Sequence, residues 1–395
     1  MEATLFQSWV CTTCGKTYAR DEVRYLCPSC AANYRPGMPL VGVLEAFFCY
    51  DSISWEVAEH DLKASKEAGI RQFIDLFSAV DPRFYPALPV GMTPFFRLKT
   101  EGNLWLKNDS LNPSGSFKDR ASQLVVAEAI RLGIKEIVCA STGNAASSLS
   151  AYCASAGIKA VIFAPAAAPQ AKLVQIQVHG AELHKIDGTY DDAFKAALDY
   201  SATHECLNRN TAYHPLTIEG KKTSGLEIFA QNGYKAPDWI VIPVGDGVIL
   251  SGIHKAFIDL QRAELCGKMP RLLAVQAENS DAITSYWESG TYHDSLDPVT
   301  IADSISVTTP SNAHWAVKAI NETRGKALRV TDAEIRAAQR ELAARYGIFA
   351  EPSSSATLAG LRKAQANNWI TDDEQVVLLI TGHGLKDIKA VAHDN

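Results

Sequence analysis

The sequence predicts an α/β protein: two open, parallel or mixed sheet domains covered by helices, preceded by a small cysteine-paired module. Three observations predict it. Apolar strand-length runs alternate with helical patterns from Leu104 to Ile380, the arrangement that builds parallel sheets covered on both faces. Four cysteines, Cys11, Cys14, Cys27 and Cys30, cluster near the N-terminus. Glycine-bearing loops follow several of the strands, where open parallel sheets gather ligands.

The cysteines come first along the chain. Their spacing is C-x2-C, twelve residues, C-x2-C, with Gly15 and Pro28 at the bends. Two such knuckles bring four thiolates to one tetrahedral Zn²⁺ with no open position, so a zinc-ribbon-like module over residues 1–44 with a structural ion is expected. Val57 to Ala79 carries helical patterns with polar breaks. After the cysteine module a catalytic region over 45–395 is expected, in two α/β subdomains, the smaller at about 135–215.

Within that region Leu104–Lys107 reads as a strand and Asp119–Leu132 as a helix. The alternation continues with strand Glu136–Ala140, helix Ala145–Ala156, strand Lys159–Phe163, helix Gln170–His179, strand Glu182–Lys185 and helix Tyr190–Thr203. It resumes with helix Gly220–Asn232, strand Trp239–Ile242, helix Val248–Glu264 and strand Arg271–Gln276. Helices Asp332–Tyr346 and Ala356–Ala366 and strand Gln375–Ile380 complete it.

Composition narrows the function. The 395 residues are 47% hydrophobic and 21% charged, ordinary for a globular protein, with a net charge of −6. That charge argues against nucleic acid or an anionic membrane as partner. No apolar run approaches the roughly 18 residues of a membrane span, and the N-terminus lacks a basic region followed by an apolar stretch. Nine cysteines, an odd number, point to a reducing cytoplasm with metal or core roles for the thiols.

Four loops carry the chemistry. Residues 112–120 read Asn-Pro-Ser-Gly-Ser-Phe-Lys-Asp-Arg, a rigid turn, then Phe117 and Lys118 at the first turn of a helix. A helix N-terminus disfavours cations. A lysine there gains if it must lose its proton and form a Schiff base. Ser141-Thr142-Gly143-Asn144-Ala145 has small residues before a helix and suits a substrate carboxylate. Asn144 adds an amide for a phenolate or carbonyl oxygen, and a plain N-cap by Thr142 or Asn144 is the bland alternative. Gly245-Asp246-Gly247-Val248-Ile249 sets two glycines between a buried strand and a helix, as a phosphate cradle would, without the spacing of a dinucleotide fingerprint. Thr381, in Thr381-Gly382-His383-Gly384, offers a neutral hydroxyl just past a strand, while His383 reads equally as an ordinary loop residue. Together the loops describe a site for pyridoxal 5'-phosphate acting on a small amino-acid substrate.

These residues resemble threonine synthase, within the tryptophan-synthase-β-like group of pyridoxal-phosphate enzymes. The resemblance runs from about Cys11 to Asp387. It rests on Gly91-Met92-Thr93-Pro94, the Lys118 segment, the Asn144 loop, Gly220-Lys221-Lys222-Thr223, Glu351-Pro352-Ser353-Ser354 and Thr381-Gly-His-Gly-Leu-Lys-Asp387. It implies that Lys118 carries the cofactor and moves protons, that Asn144 bonds the ring's 3′-oxygen, that Gly245 to Ile249 hold the phosphate, and that Thr381 bonds the pyridine nitrogen. It also implies conversion of phosphohomoserine and water to threonine and phosphate. Two positions depart from the family pattern. An arginine of the family motif is replaced by Thr217, and an asparagine of the cradle by Ile249. Either Lys221 or Lys222 compensates, or the substrate carries no phosphate. Elimination or replacement on serine- or threonine-type amino acids, and a non-catalytic binding protein, are the other readings; a homodimer is left open.

Overall fold

A computed structural model describes residues 4–390 apart from 36, 54–65, 167, 169 and 189, and, of 170–172, 190, 191 and 389, only the backbone. The helical pattern expected from Val57 is present as helix Lys66–Asp75; its earlier part lies outside the described residues.

Two catalytic sheets form where alternation predicted them. The larger contains β4 (Phe95–Arg97), β5 (Leu104–Asn108), β10 (Trp239–Pro243), β11 (Arg271–Ala277), β12 (Lys326–Val330) and β13 (Val376–Ile380), in the order β12-β11-β10-β13-β5-β4. All its pairings are parallel except β4 with β5. β10 and β13 are buried at every position. This explains their unbroken apolar sequences, Trp-Ile-Val-Ile-Pro and Val-Val-Leu-Leu-Ile, because strands covered on both faces need no alternation. The smaller sheet is parallel, in the order β8 (Glu182–Ile186), β7 (Lys159–Pro165), β6 (Glu136–Ala140), β9 (Leu207–Asn208).

The N-terminal segment forms an antiparallel sheet. β1 (Phe6–Cys11) pairs with β2 (Thr17–Tyr18) and with β3 (Leu44–Phe48). The last strand carries the module's sheet to Phe48. This sheet docks on catalytic helices: the Ala46 amide donates to the Glu219 carboxylate at 3.1 Å, and the Tyr50 hydroxyl to Asp259 at 2.5 Å.

Several helix starts differ from the pattern reading. Helix Pro352–Ala366 begins four residues before Ala356, because Pro352 at its first position needs no N–H there and Ser353 to Ser355 are buried in it. Helix Leu216–Gln231 begins before Gly220, which faces the backbone of Arg120 so closely that a Cβ would lie 2.2 Å from its carbonyl oxygen. Helices Ala282–Ser289 and Ala313–Glu322 and strand β12 lie outside the pattern reading altogether.

Candidate active site

Strand order brings the chemistry together. β10, β13 and β5 are adjacent and parallel, so the loops at their carboxyl ends lie side by side. These are the Gly245 loop, the Thr381 loop and the Lys118 loop. The Ser141 loop reaches the same cleft from β6 of the smaller sheet.

Lys118 occupies the N-cap of helix Asp119–Leu132 in right-handed helical conformation. The turn before it is fixed from inside: Asp119 accepts hydrogen bonds from the Ser114 amide, at 2.7 Å, and from the Ser114 hydroxyl. It is fixed to the next strand too, for the Phe117 amide donates to the Thr381 carbonyl at 2.7 Å and Ser116 bridges Gly382. Lys386 extends this lattice. Its ammonium donates to the Ser114 carbonyl (2.9 Å), the Ser147 hydroxyl (3.0 Å) and Gln175 (2.8 Å), joining the C-terminal loop to helices of the smaller sheet.

One cavity is lined by Phe117, Lys118, Asn144, Ile249, Ser304, Glu351 and Thr381 among others. The sequence reading expected five of these. Burial lowers the pKa of the Lys118 amine; the nearby Asp246 carboxylate opposes, Arg209 reinforces and Glu351 opposes. Burial thus leads, and the positive charge of Arg209 shares the effect. An amine that loses its proton readily is a competent nucleophile and base.

Asn144 begins helix Asn144–Ala156, which has no side-chain cap. The bland N-cap reading of Thr142 and Asn144 is therefore set aside. The Asn144 amide lines the cavity and donates to Glu351 at 2.9 Å and to the Ser304 hydroxyl at 3.2 Å. Ser141, Thr142, Gly143 and Ala145 stand around that helix start, with the Gly143 amide donating to the Ser141 hydroxyl. Thr381 is buried; its hydroxyl lies 3.0 Å from that of Ser354 and donates to Glu351 at 3.4 Å.

In the third loop Gly247 caps helix Val248–Arg262 in the left-handed region, φ 81°. A Cβ there would lie 2.8 Å from Ala316, and one on Gly245 would lie 2.9 Å from the Ile305 backbone. Both positions therefore require glycine. The Asp246 carboxylate accepts from the Ser311 amide and hydroxyl, each at 3.2 Å. The unsatisfied first N–H groups of the helix remain for an anion.

Glu351 is the residue that sequence reasoning misses as a participant, because in the sequence it stands only as part of a motif. Its carboxyl joins Asn144 to Thr381, and burial raises its pKa, with Asn144, Lys118 and Lys386 opposing. An acidic residue before Pro352 reads as an ordinary helix start, so no signal distinguishes it. Ser304 lies in the short 3-10 turn Asp303–Ile305 and carries no signal either. His383 is a loop fastener: its amide donates to the Gly115 carbonyl, and its ring accepts from the Leu385 amide at 3.1 Å.

The four N-terminal cysteines converge, with all sulfurs within 4.8 Å of one another. The Cys11–Cys30 and Cys14–Cys27 sulfurs are 3.8 Å apart, too far for disulfides at about 2.05 Å. Tetrahedral Zn–S bonds of about 2.3 Å imply sulfurs roughly 3.8 Å apart, so this donor set fits the ion.

The donor set of the cleft fits pyridoxal phosphate equally well: a lysine of lowered pKa, an amide, a hydroxyl and a glycine-bounded helix N-terminus around one cavity. Such a fold and site define a pyridoxal-phosphate enzyme. Comparison with known proteins agrees. The family model for pyridoxal-phosphate-dependent enzymes matches residues 87–382. Threonine synthase of Methanocaldococcus jannaschii is 34% identical, covering 95% of this chain and 92% of that protein. Threonine synthase of Methanosarcina acetivorans is 35% identical, covering 96% and 92%. The crystal structure of a T.th. threonine deaminase superposes with a TM-score of 0.63 at 25% identity, over 74% of this chain and 92% of that one. The chain belongs to the pyridoxal-phosphate-dependent enzymes and, within them, to the threonine synthases.

Proposed function

We propose that this enzyme converts O-phosphohomoserine and water to threonine and phosphate, a lyase reaction. The observation that carries the proposal is the single cavity uniting Lys118, Asn144, Glu351 and Thr381, in a chain similar to threonine synthases over nearly its whole length.

The residues divide the work. Lys118 is the attachment point and the base: its lowered pKa frees a lone pair, and after attachment is exchanged the amine takes and returns protons at the substrate's carbons. When bound, the cofactor supplies an electron sink for carbanion chemistry. Gly245, Asp246, Gly247, Val248 and Ile249 would hold its phosphate at a helix N-terminus. Phe117 would pack beside it, and Asn144 would donate to its 3′-oxygen. Thr381 would offer the ring nitrogen a neutral hydroxyl rather than a carboxylate, which would leave that nitrogen largely unprotonated and favour elimination or replacement over transamination. Ser141, Thr142, Gly143, Asn144 and Ala145 receive the substrate carboxylate. Cys11, Cys14, Cys27 and Cys30 hold a structural Zn²⁺ in an N-terminal ribbon over 1–44; the catalytic region spans 45–395, with its smaller subdomain at about 135–215. The setting is the cytoplasm. Among the described residues no helix is long and apolar enough to cross a membrane.

A second reading, elimination from serine- or threonine-type amino acids, is favoured by Thr217, which stands where the family motif has an arginine. One assay separates the two. The purified, cofactor-loaded enzyme is given phosphohomoserine, serine and threonine in turn, and phosphate, threonine, ammonia and keto-acid are measured. Phosphate and threonine in equal amounts support the proposal. Ammonia and keto-acid from serine or threonine, without phosphohomoserine turnover, refute it.

A further inference from the structure

We propose that Arg209 and Lys221 form the subsite for the substrate's phosphate dianion, replacing an arginine at position 217. The identity of the substrate rests on the function proposed above; the existence of the anion subsite does not.

Thr217 itself is committed elsewhere. Its hydroxyl donates to the His214 carbonyl at 2.8 Å and accepts from the Ala212 amide at 3.2 Å, which fixes the start of its helix. Lys222, one of two compensating candidates, is already neutralised: it pairs with Glu219 at 2.5 Å and Asp259 at 2.9 Å. It serves the packing of the N-terminal sheet, with its ammonium over the Phe48 ring.

Arg209 and Lys221 differ. Each is only 1% exposed. The Arg209 Nε and Nη2 meet no acceptor, and the Lys221 ammonium donates to a neutral oxygen, Thr211 Oγ1, at 3.2 Å. Buried Lys107, Arg120, Lys222 and Lys255 each hold a carboxylate. Among the described residues, neither Arg209 nor Lys221 forms such a pair. A buried guanidinium without a counter-ion is costly, and a buried amine without one is pushed toward its neutral form. A phosphate dianion removes that cost and offers the geometry a guanidinium fork matches.

The pair also lies within electrostatic reach of Lys118, and Lys221 of Asp246 as well. The Arg209 amide donates to the Val138 carbonyl at 2.8 Å, and Asn210 accepts from the Ala140 amide at 2.8 Å. These bonds fasten the segment to the end of β6, where the Ser141 loop begins. Lys221 packs on Gly252 of the helix that starts at the cradle, so closely that a Cβ on Gly252 would lie 2.8 Å from Lys221 Cβ. Burial lowers the Lys221 pKa far below the usual lysine range, Lys118 and Arg209 add to the effect, and Asp246 and Cys139 oppose it. Two more buried donors of the Arg209 segment are unpaired, Asn210 Nδ2 and His214 Nε2. Tyr25 of the cysteine module packs against this segment, its ring edge-on to His214. It stacks on Tyr213 with centroids 4.6 Å apart, and its hydroxyl accepts from the Asn208 amide at 2.9 Å.

The test uses cofactor-loaded wild type, Arg209→Gln, Arg209→Lys and Lys221→Met, with inorganic phosphate and phosphohomoserine as probes. Phosphate affinity is read from thermal shift and from competition, and cofactor affinity from the visible absorbance during dialysis. Loss of one charge-assisted contact predicts that Arg209→Gln weakens inorganic phosphate and raises the phosphohomoserine KM by roughly 10- to 100-fold. Cofactor affinity should stay unchanged, Arg209→Lys should recover part of the loss, and Lys221→Met should weaken phosphate independently. Phosphate affinity within two-fold of wild type in both Arg209→Gln and Lys221→Met overturns the proposal. So does loosened cofactor with unchanged phosphate competition, which would give the pair to the cofactor's own phosphate. If wild type binds phosphate through Arg209 yet does not turn over phosphohomoserine, the functional reading fails and the anion subsite stands.

Discussion

Lys118 and Glu351 face one cavity, and burial pushes each toward its neutral form, the lysine pKa down and the carboxyl pKa up. Thr381 stands next to that carboxyl with a hydroxyl. The arrangement keeps formal charge low where a cofactor ring would lie. Thr381→Asp would bring a second carboxylate within reach of Glu351 and of the ring nitrogen. It should favour the protonated ring and raise transamination products relative to threonine. Product analysis by mass spectrometry checks this; an unchanged product ratio and absorption spectrum would remove Thr381 from that role. Lys118 was legible in the sequence because a cation behind a Pro-Gly turn at a helix start contradicts the helix dipole. Arg209 was illegible because nothing in a single arginine shows that it lacks a partner once buried.

Individual elements were legible where patterning was strong. Helices Asp119–Leu132, Tyr190–Thr203 and Asp332–Tyr346 run over the residues expected, and each is amphipathic or capped. Two-residue β2 and β9 and three-residue β4 are too short to show a period, and they form because neighbours pair with them. Helix Lys66–Asp75 has a pH-sensitive end. Burial raises the Asp75 carboxyl to about 7, with Arg71 opposing and Asp81 reinforcing, and a negative charge at a helix C-terminus adds its own penalty. The folded state therefore holds this proton longer than the unfolded chain. The stabilisation is full below about pH 4 and is lost as pH rises to about 7. Asp75→Asn cannot ionise. Relative to wild type it should gain roughly 1–2 kcal/mol above pH 7 and little below pH 4. Melting curves of both proteins between pH 4 and 8 give the difference; a constant offset would contradict it.

At the scale of the whole molecule, the N-terminal segment that carries the cysteines and the strand after them is wired into the catalytic helices rather than appended to them. Ala46 and Tyr50 bond to Glu219 and Asp259, Tyr25 stacks on Tyr213, and the Leu40 amide donates to the Ser311 carbonyl at 3.0 Å. Ser311 in turn holds Asp246 of the cradle. Removing Zn²⁺ with a chelator should lower the melting temperature by several degrees while the visible absorbance of the cofactor survives at room temperature. Metal analysis that finds no zinc, or melting unaffected by chelation, would count against the ion. The spacing of the cysteines announced the site; its contacts with helices two hundred residues away required the fold. Strand order β10-β13-β5 brings Lys118 to the cleft proposed for the cofactor. Borohydride reduction of the yellow enzyme followed by peptide mapping tests whether Lys118 carries it. The predicted result is a single cofactor-modified peptide bearing Lys118, absent in Lys118→Ala along with nearly all turnover. A modified peptide bearing Lys221 or any other lysine in the wild type would contradict it.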